Sequence, residues 1–296
     1  MNGRNPDRAG AVFGAVGKSL CYVGLFLGMQ SAVMLPAMVR AAMGGGPYEI
    51  YAALEANAVL YTLISGLLTI AVVLAFYLIR RKKLSEALWL RSVPAPTMLA
   101  GASLAPALYF VVATVLALLP EAWTENYGEA SAGINTASFT GVLAVVFVAP
   151  VLEEFIFRGL VMTRLARVMP GWLAVLLSAA MFGVCHGELV WFCYAFLLGA
   201  FFGFLDLRAG SVLPSILGHM AFNGIGQILT FVPETEEGTE LVIAMGILLL
   251  AAVILPVVNR RGIFGLFRSA PEEMPGLDEW AMPTEPGVYE YDPWEE

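Results

Sequence analysis

Apolar segments long enough to cross a lipid bilayer recur along this chain, and no other property restricts its fold as much. A transmembrane helix needs about 20 apolar residues to span ~30 Å of hydrocarbon, and inside lipid only helices or closed barrels satisfy every backbone N–H and C=O group. Candidate spans run over Leu20 to Val39, Ala56 to Ile79, Met98 to Leu119, Ser138 to Phe157, Trp172 to Cys185, Leu189 to Leu205, Val212 to Phe231 and Leu241 to Val258. The fifth and sixth are the shortest. The expected fold is all-α: a polytopic membrane helix bundle of about eight transmembrane helices. Composition agrees, with 59% hydrophobic and only 14% charged residues, where a soluble domain carries about a quarter charged. The lipid bilayer is thus an expected partner, and nucleic acid is not.

An even number of spans puts both termini on one side, and the basic residues choose it. With the N-terminus inside, Arg4, Arg8, Lys18, the run Arg80-Arg81-Lys82-Lys83, Arg91, Arg164, Arg167, Arg208, Arg260, Arg261 and Arg268 are cytoplasmic. Only Arg40 falls at an outer boundary and only Arg158 within a span, whereas the outer loops carry acid, as in Glu234-Thr235-Glu236-Glu237. The positive-inside rule then predicts a multi-pass protein of the plasma (inner) membrane with both termini cytoplasmic. The first apolar stretch lacks a small-residue cleavage site and is expected to be retained.

The net charge of −8 resides in the last residues. From Pro271 to Glu296 there are nine acids and no Lys or Arg, in a Pro-rich stretch without helical periodicity. Residues 269–296 therefore read as a disordered cytoplasmic tail, and residues 1–268 as the membrane-embedded helical domain with a motif-bearing core at 138–231. Cys21, Cys185 and Cys193 fall in or at the edge of spans, an odd set that argues against a disulfide framework.

Against this apolar background a few polar residues stand out. Glu153 and Glu154 lie in the run Val145 to Arg158, and both histidines of the chain, His186 and His219, lie in other apolar segments. An ionisable group at membrane depth costs at least ~2.5 kcal/mol on insertion scales, so each is a functional-site candidate. Glu154 and Arg158 are one helical turn apart, acid first, and pair in the favourable direction. Glu153 points about 100° away round the helix and has no sequence-local cation, which leaves it for chemistry. Phe182 precedes His186 by one turn, and His219 shares a face with Asn223 by the same spacing. At ~1.5 Å of rise per residue, Glu153 lies ~21 Å from Arg167 and His186 ~22 Å from Gly171, so the segments bring their polar groups to similar depth.

In order and type, Glu153-Glu154-x-x-x-Arg158, Phe182-x-x-x-His186 and His219-x-x-x-Asn223 resemble the three motifs of the CAAX prenyl protease and bacteriocin-processing family, also called CPBP or Abi intramembrane proteases. The resemblance covers about 138 to 231, including Gly199-Ala200-Phe201-Phe202-Gly203 and the turn Leu207 to Ser211. It implies an intramembrane endopeptidase acting on a membrane-associated peptide or protein substrate. Glu153 and His186 would activate a water, His219 and Asn223 would hold the oxyanion, and Glu154, Arg158 and Phe182 would support them. Those residue types suit peptide hydrolysis, since carboxylate and imidazole can take a water's protons and amide or imidazole N–H groups can bind a tetrahedral oxyanion.

No cofactor is favoured, but the alternative is a zinc-dependent protease with Glu153, His186 and His219 as ligands, a set of the right chemistry for catalytic zinc. A non-catalytic membrane scaffold or bacteriocin-immunity protein on the same fold is a further alternative, since fold does not fix function. A transporter would also bury Glu, Arg and His, but gives no reason for the order of the three motifs.

Overall fold

The computed structural model of the chain describes residues 6–44, 47–55, 57–81, 88–132, 138–233 and 239–268. All its regular elements are helices: α1 (Pro6–Gly44), α2 (Pro47–Glu55), α3 (Ala58–Ile79), α4 (Ala100–Leu118), α5 (Glu121–Ala132), α6 (Phe139–Ala166), α7 (Gly171–Val184), α8 (Leu189–Ala209), α9 (Leu213–Leu229), α10 (Thr239–Val258) and α11 (Arg260–Arg268). Six are long and apolar enough to cross a membrane. The chain is a multi-pass helical membrane protein. The expected fifth and seventh spans correspond to shorter helices, the 14-residue α7 and the 17-residue α9. At 1.5 Å per residue these reach only about 21 and 25 Å, and short helices of this kind need partners at their ends. The proposed tail at 269–296 lies outside the described residues.

Small residues bring the helices around the site together. A Cβ on Gly101 of α4 would fall 2.0 Å from the Pro214 carbonyl oxygen, and one on Gly218 would fall 3.0 Å from the Gly101 Cα. α4 and α9 therefore meet backbone to backbone one residue before His219, the close approach that drives helix association where lipid supplies no hydrophobic force. On α8, a Cβ on Gly199 would press against the Arg158 guanidinium and the Phe182 ring at 3.1 Å. That glycine leaves the space both side chains occupy.

α6 carries the paired glutamates and is not a uniform α-helix. Two widened π segments, Val142–Val148 and Phe155–Met162, flank an α turn at Ala149–Glu154. Pro150 accounts for the first of them. Its ring clashes with the carbonyl four residues back and it has no N–H to give, and widening the turn relieves that clash. In this register Ala149 donates to the Ala144 carbonyl, five residues back. The next donor would be Pro150, which has none, so the Val145 carbonyl is left without its backbone partner. Asn223 supplies the missing donor from α9, its Nδ2 lying 3.0 Å from the Val145 oxygen.

Candidate active site

Glu154 is the fixed carboxylate. It is fully buried, its Oε2 lies 3.1 Å from Arg158 Nε, and its Oε1 lies 2.8 Å from His219 Nδ1. The Arg158 guanidinium sits over the Phe182 ring at 4.6 Å. Among the described residues it makes no hydrogen bond and is held by charge and by that ring face. A buried pair of this kind holds its helix register firmly, because removing either partner strands a charge in low dielectric.

Glu153, the next residue, is placed differently. It keeps 17% of its side chain exposed and lines a cavity of about 340 Å³ together with His186, His219 and Asn223. Its Oε2 approaches His219 Nε2 at 3.7 Å. The 100° turn between adjacent helical residues thus sends one glutamate into the packed interior and its neighbour into the cavity.

The two imidazoles are fixed in tautomer by what they touch. His186 Nδ1 lies 3.0 Å from the Phe182 carbonyl, which can only accept, so Nδ1 carries the proton and Nε2 is left with a lone pair. His219 Nδ1 likewise donates to the Glu154 carboxylate. Its Nε2 can therefore donate only when the ring is an imidazolium. Phe182 organises both histidines, with its ring 4.7 Å from His186 and 5.9 Å from His219, edge to face in each case. On the other side Phe202 stacks on His219 at 26°, and Trp191 leans on His186 at 5.2 Å.

All seven sequence-predicted site residues meet in this region. Four of them, Glu153, His186, His219 and Asn223, face the cavity, as does Phe182. Glu154 and Arg158 are packed behind it. Among the described residues no group of three His, Cys, Asp or Glu side chains is gathered at metal-ligand spacing. Cys21, Cys185 and Cys193 are unbridged, and Cys185 lines the cavity.

Residues 135–225, which hold all three motifs, match the family model described as Rce1-like: Type II CAAX prenyl endopeptidase Rce1-like. The chain carries an Rce1-like type II CAAX endopeptidase domain. This is a family of proteases, and the buried Glu154–His219 pair with Glu153 beside it is consistent with a catalytic site. No curated protein and no solved structure matches the chain.

One buried acid escapes the sequence reading. Asp206, in the last turn of α8, is fully buried, and its Oδ1 accepts the Ser215 backbone N–H at 3.1 Å. Across the Gly210 turn it thereby caps the first turn of α9, one helical turn before His219. The available signal is the charge itself: Asp206 is the sole acid between Leu189 and Leu229, within a run otherwise as apolar as a span.

Proposed function

We propose that this endopeptidase hydrolyses peptide bonds of membrane-associated proteins or peptides within the bilayer, with Glu153 and His186 accepting the two hydrogens of the attacking water. The observation carrying this reading is the split between the two glutamates, since Glu154 is fully engaged and Glu153 faces the cavity beside His219. In this scheme Glu153 takes a proton as the water oxygen bonds to the carbonyl carbon, and the bare Nε2 of His186 orients the other hydrogen. The carbonyl oxygen becomes an oxyanion facing Asn223 Nδ2–H and His219 Nε2–H. The second donor is available when the His219 ring carries both protons, its Nδ1 being held by Glu154 at 2.8 Å. Collapse re-forms the carbonyl, breaks the C–N bond and passes the Glu153 proton to the leaving amine.

The same proposal includes orientation. The end of the bundle bearing Arg80, Arg81, Arg91, Arg164, Arg208 and Arg260 faces the cytoplasm under the positive-inside rule. Both termini are then cytoplasmic, in an inner membrane.

Glu153→Gln tests the catalytic assignment. It keeps the shape, removes the base, and should lower peptide turnover at least about 100-fold while leaving the melting temperature in detergent unchanged. Full turnover by this variant would end the assignment.

A further inference from the structure

The two ends of the bundle differ in charge, and the cavity opens towards only one of them. Among the described residues, long-range hydrogen bonds tie the cationic end together. Arg208 Nε donates to the Leu266 carbonyl at 2.7 Å, Ser211 Oγ to the Arg91 carbonyl at 2.8 Å, and the Val212 N–H to the Trp89 carbonyl at 3.2 Å. These join the α3–α4 connection, the α8–α9 turn and α11 into one face.

The cavity walls come from the opposite halves of the same helices. α3 contributes Tyr61, Thr62 and Ser65 from its first third, α9 contributes His219, Phe222, Asn223 and Gly226, beyond its first turn and a half, and α5 contributes Tyr127 and Ser131. None of the described residues in 80–98, 164–172, 206–214 or 259–268 lines it. Its floor is Phe157, Phe182 and Phe202, each no more than 3% exposed, and beneath them Ile156, Met162 and Leu165 are packed without access. A substrate arriving from the cationic end would have to displace that core.

The open end also has the lining a peptide backbone needs. Tyr61, Tyr109, Tyr127 and Tyr194 line its walls, and an extended chain in low dielectric requires polar partners for its N–H and C=O groups. Tyr127 holds α5 over this mouth by edge-on contacts with Trp191 at 5.9 Å and Tyr194 at 5.8 Å. Beyond Tyr61 the cavity adjoins a second hollow lined by Arg40 and Glu49.

We propose that substrate enters from the extracytoplasmic face, so that the substrate class is an exported peptide or the outward-facing segment of a membrane-anchored protein, and not a carboxyl-terminal tail in the cytoplasm. The substrate half of this inference rests on Glu153 being the catalytic base. The direction of entry rests on the cavity and on the charge asymmetry.

Cys185, on the cavity wall, reports the direction. In full-length protein carrying Cys21→Ser and Cys193→Ser, a charged, membrane-impermeant methanethiosulfonate should modify Cys185 in intact spheroplasts and not in inside-out vesicles. The Arg261→Cys variant, in a background lacking the three native thiols, should show the reverse. Modified Cys185 protein should cleave a model peptide at least tenfold more slowly, and intact spheroplasts should cleave an added impermeant peptide that inverted vesicles leave uncut. Labelling of Cys185 from the same side as the Arg261→Cys variant, or only after detergent, would overturn the proposal. Outside labelling combined with cleavage that survives Glu153→Gln would instead overturn the catalytic reading and leave the direction of entry supported.

Discussion

The closed, cationic half of the bundle and the open half that holds the cavity use the same residue types for opposite ends. In the closed half, polar groups are spent on one another: Glu154 on Arg158 and His219, Asp206 on the Ser215 N–H, Ser178 on the Phe157 carbonyl at 2.6 Å. In the open half, Glu153, His186 and four tyrosines line space a substrate can fill. A membrane interior penalises polar groups in both places. The difference lies in whether the penalty is offset by a partner in the protein or left for a ligand to offset, and it shows up as stability in the first half and reactivity in the second.

The largest expected effect is in the closed half. Arg158→Ala leaves Glu154 charged, buried and short of its cation, a loss of about 3 to 5 kcal/mol, so the detergent-solubilised protein should melt far lower and yield should fall with activity. Replacing both partners, Glu154→Gln with Arg158→Met, should recover much of the melting temperature, because a pair removed together strands no charge. A stable, active Arg158→Ala protein would show that the two halves do not differ as described.

His186→Ala probes the open half. Its Nδ1 is bound to a backbone carbonyl and its ring rests against Phe182 and Trp191, so removing it takes away neutral ring contacts and strands no charge. Turnover should drop about 100-fold or more, the usual contribution of a positioned acid–base group, with the melting temperature little changed. A fall in melting temperature matching that of Arg158→Ala would place His186 with the structural set.

How far these two halves can be read from the sequence follows from the range of each interaction. Glu154 with Arg158 and Phe182 with His186 are one-turn relationships, fixed by helix geometry once the segments are known to be helical. The bond from His219 to Glu154 spans 65 positions and depends on how α9 is laid against α6, which the glycine contact of Gly101 with Gly218 decides. No side-chain pattern announces it. The spans are legible where apolar runs are long, but α7 and α9 fall short of a full crossing because α8 and its turns share their burial. Asp206 escapes notice because its partner is a backbone N–H. The link between Pro150 and Asn223 escapes it because the middle member, the Val145 carbonyl, has no side chain to read.

That link allows the smallest and sharpest test, because Asn223 stands on the border between the halves. One N–H of its amide satisfies the Val145 carbonyl, a structural duty, while the amide also faces the cavity, where an oxyanion would need it. Asn223→Ala removes both, and should cost about 1 to 3 kcal/mol of stability for the orphaned carbonyl and on the order of 100-fold in turnover for the lost oxyanion donor. Pro150→Ala separates the two. A backbone N–H at 150 can donate to Val145 if the wide register persists, and if the helix relaxes to four-residue spacing the Ala149 N–H reaches Val145 instead. Either way the carbonyl has a partner without Asn223. In the Pro150→Ala background, Asn223→Ala should therefore lose most of its effect on melting temperature, a coupling of about 1 kcal/mol or more, and retain its full effect on turnover relative to Pro150→Ala alone. If turnover recovers along with stability, Asn223 belongs entirely to the closed half and the oxyanion must be held by His219 alone.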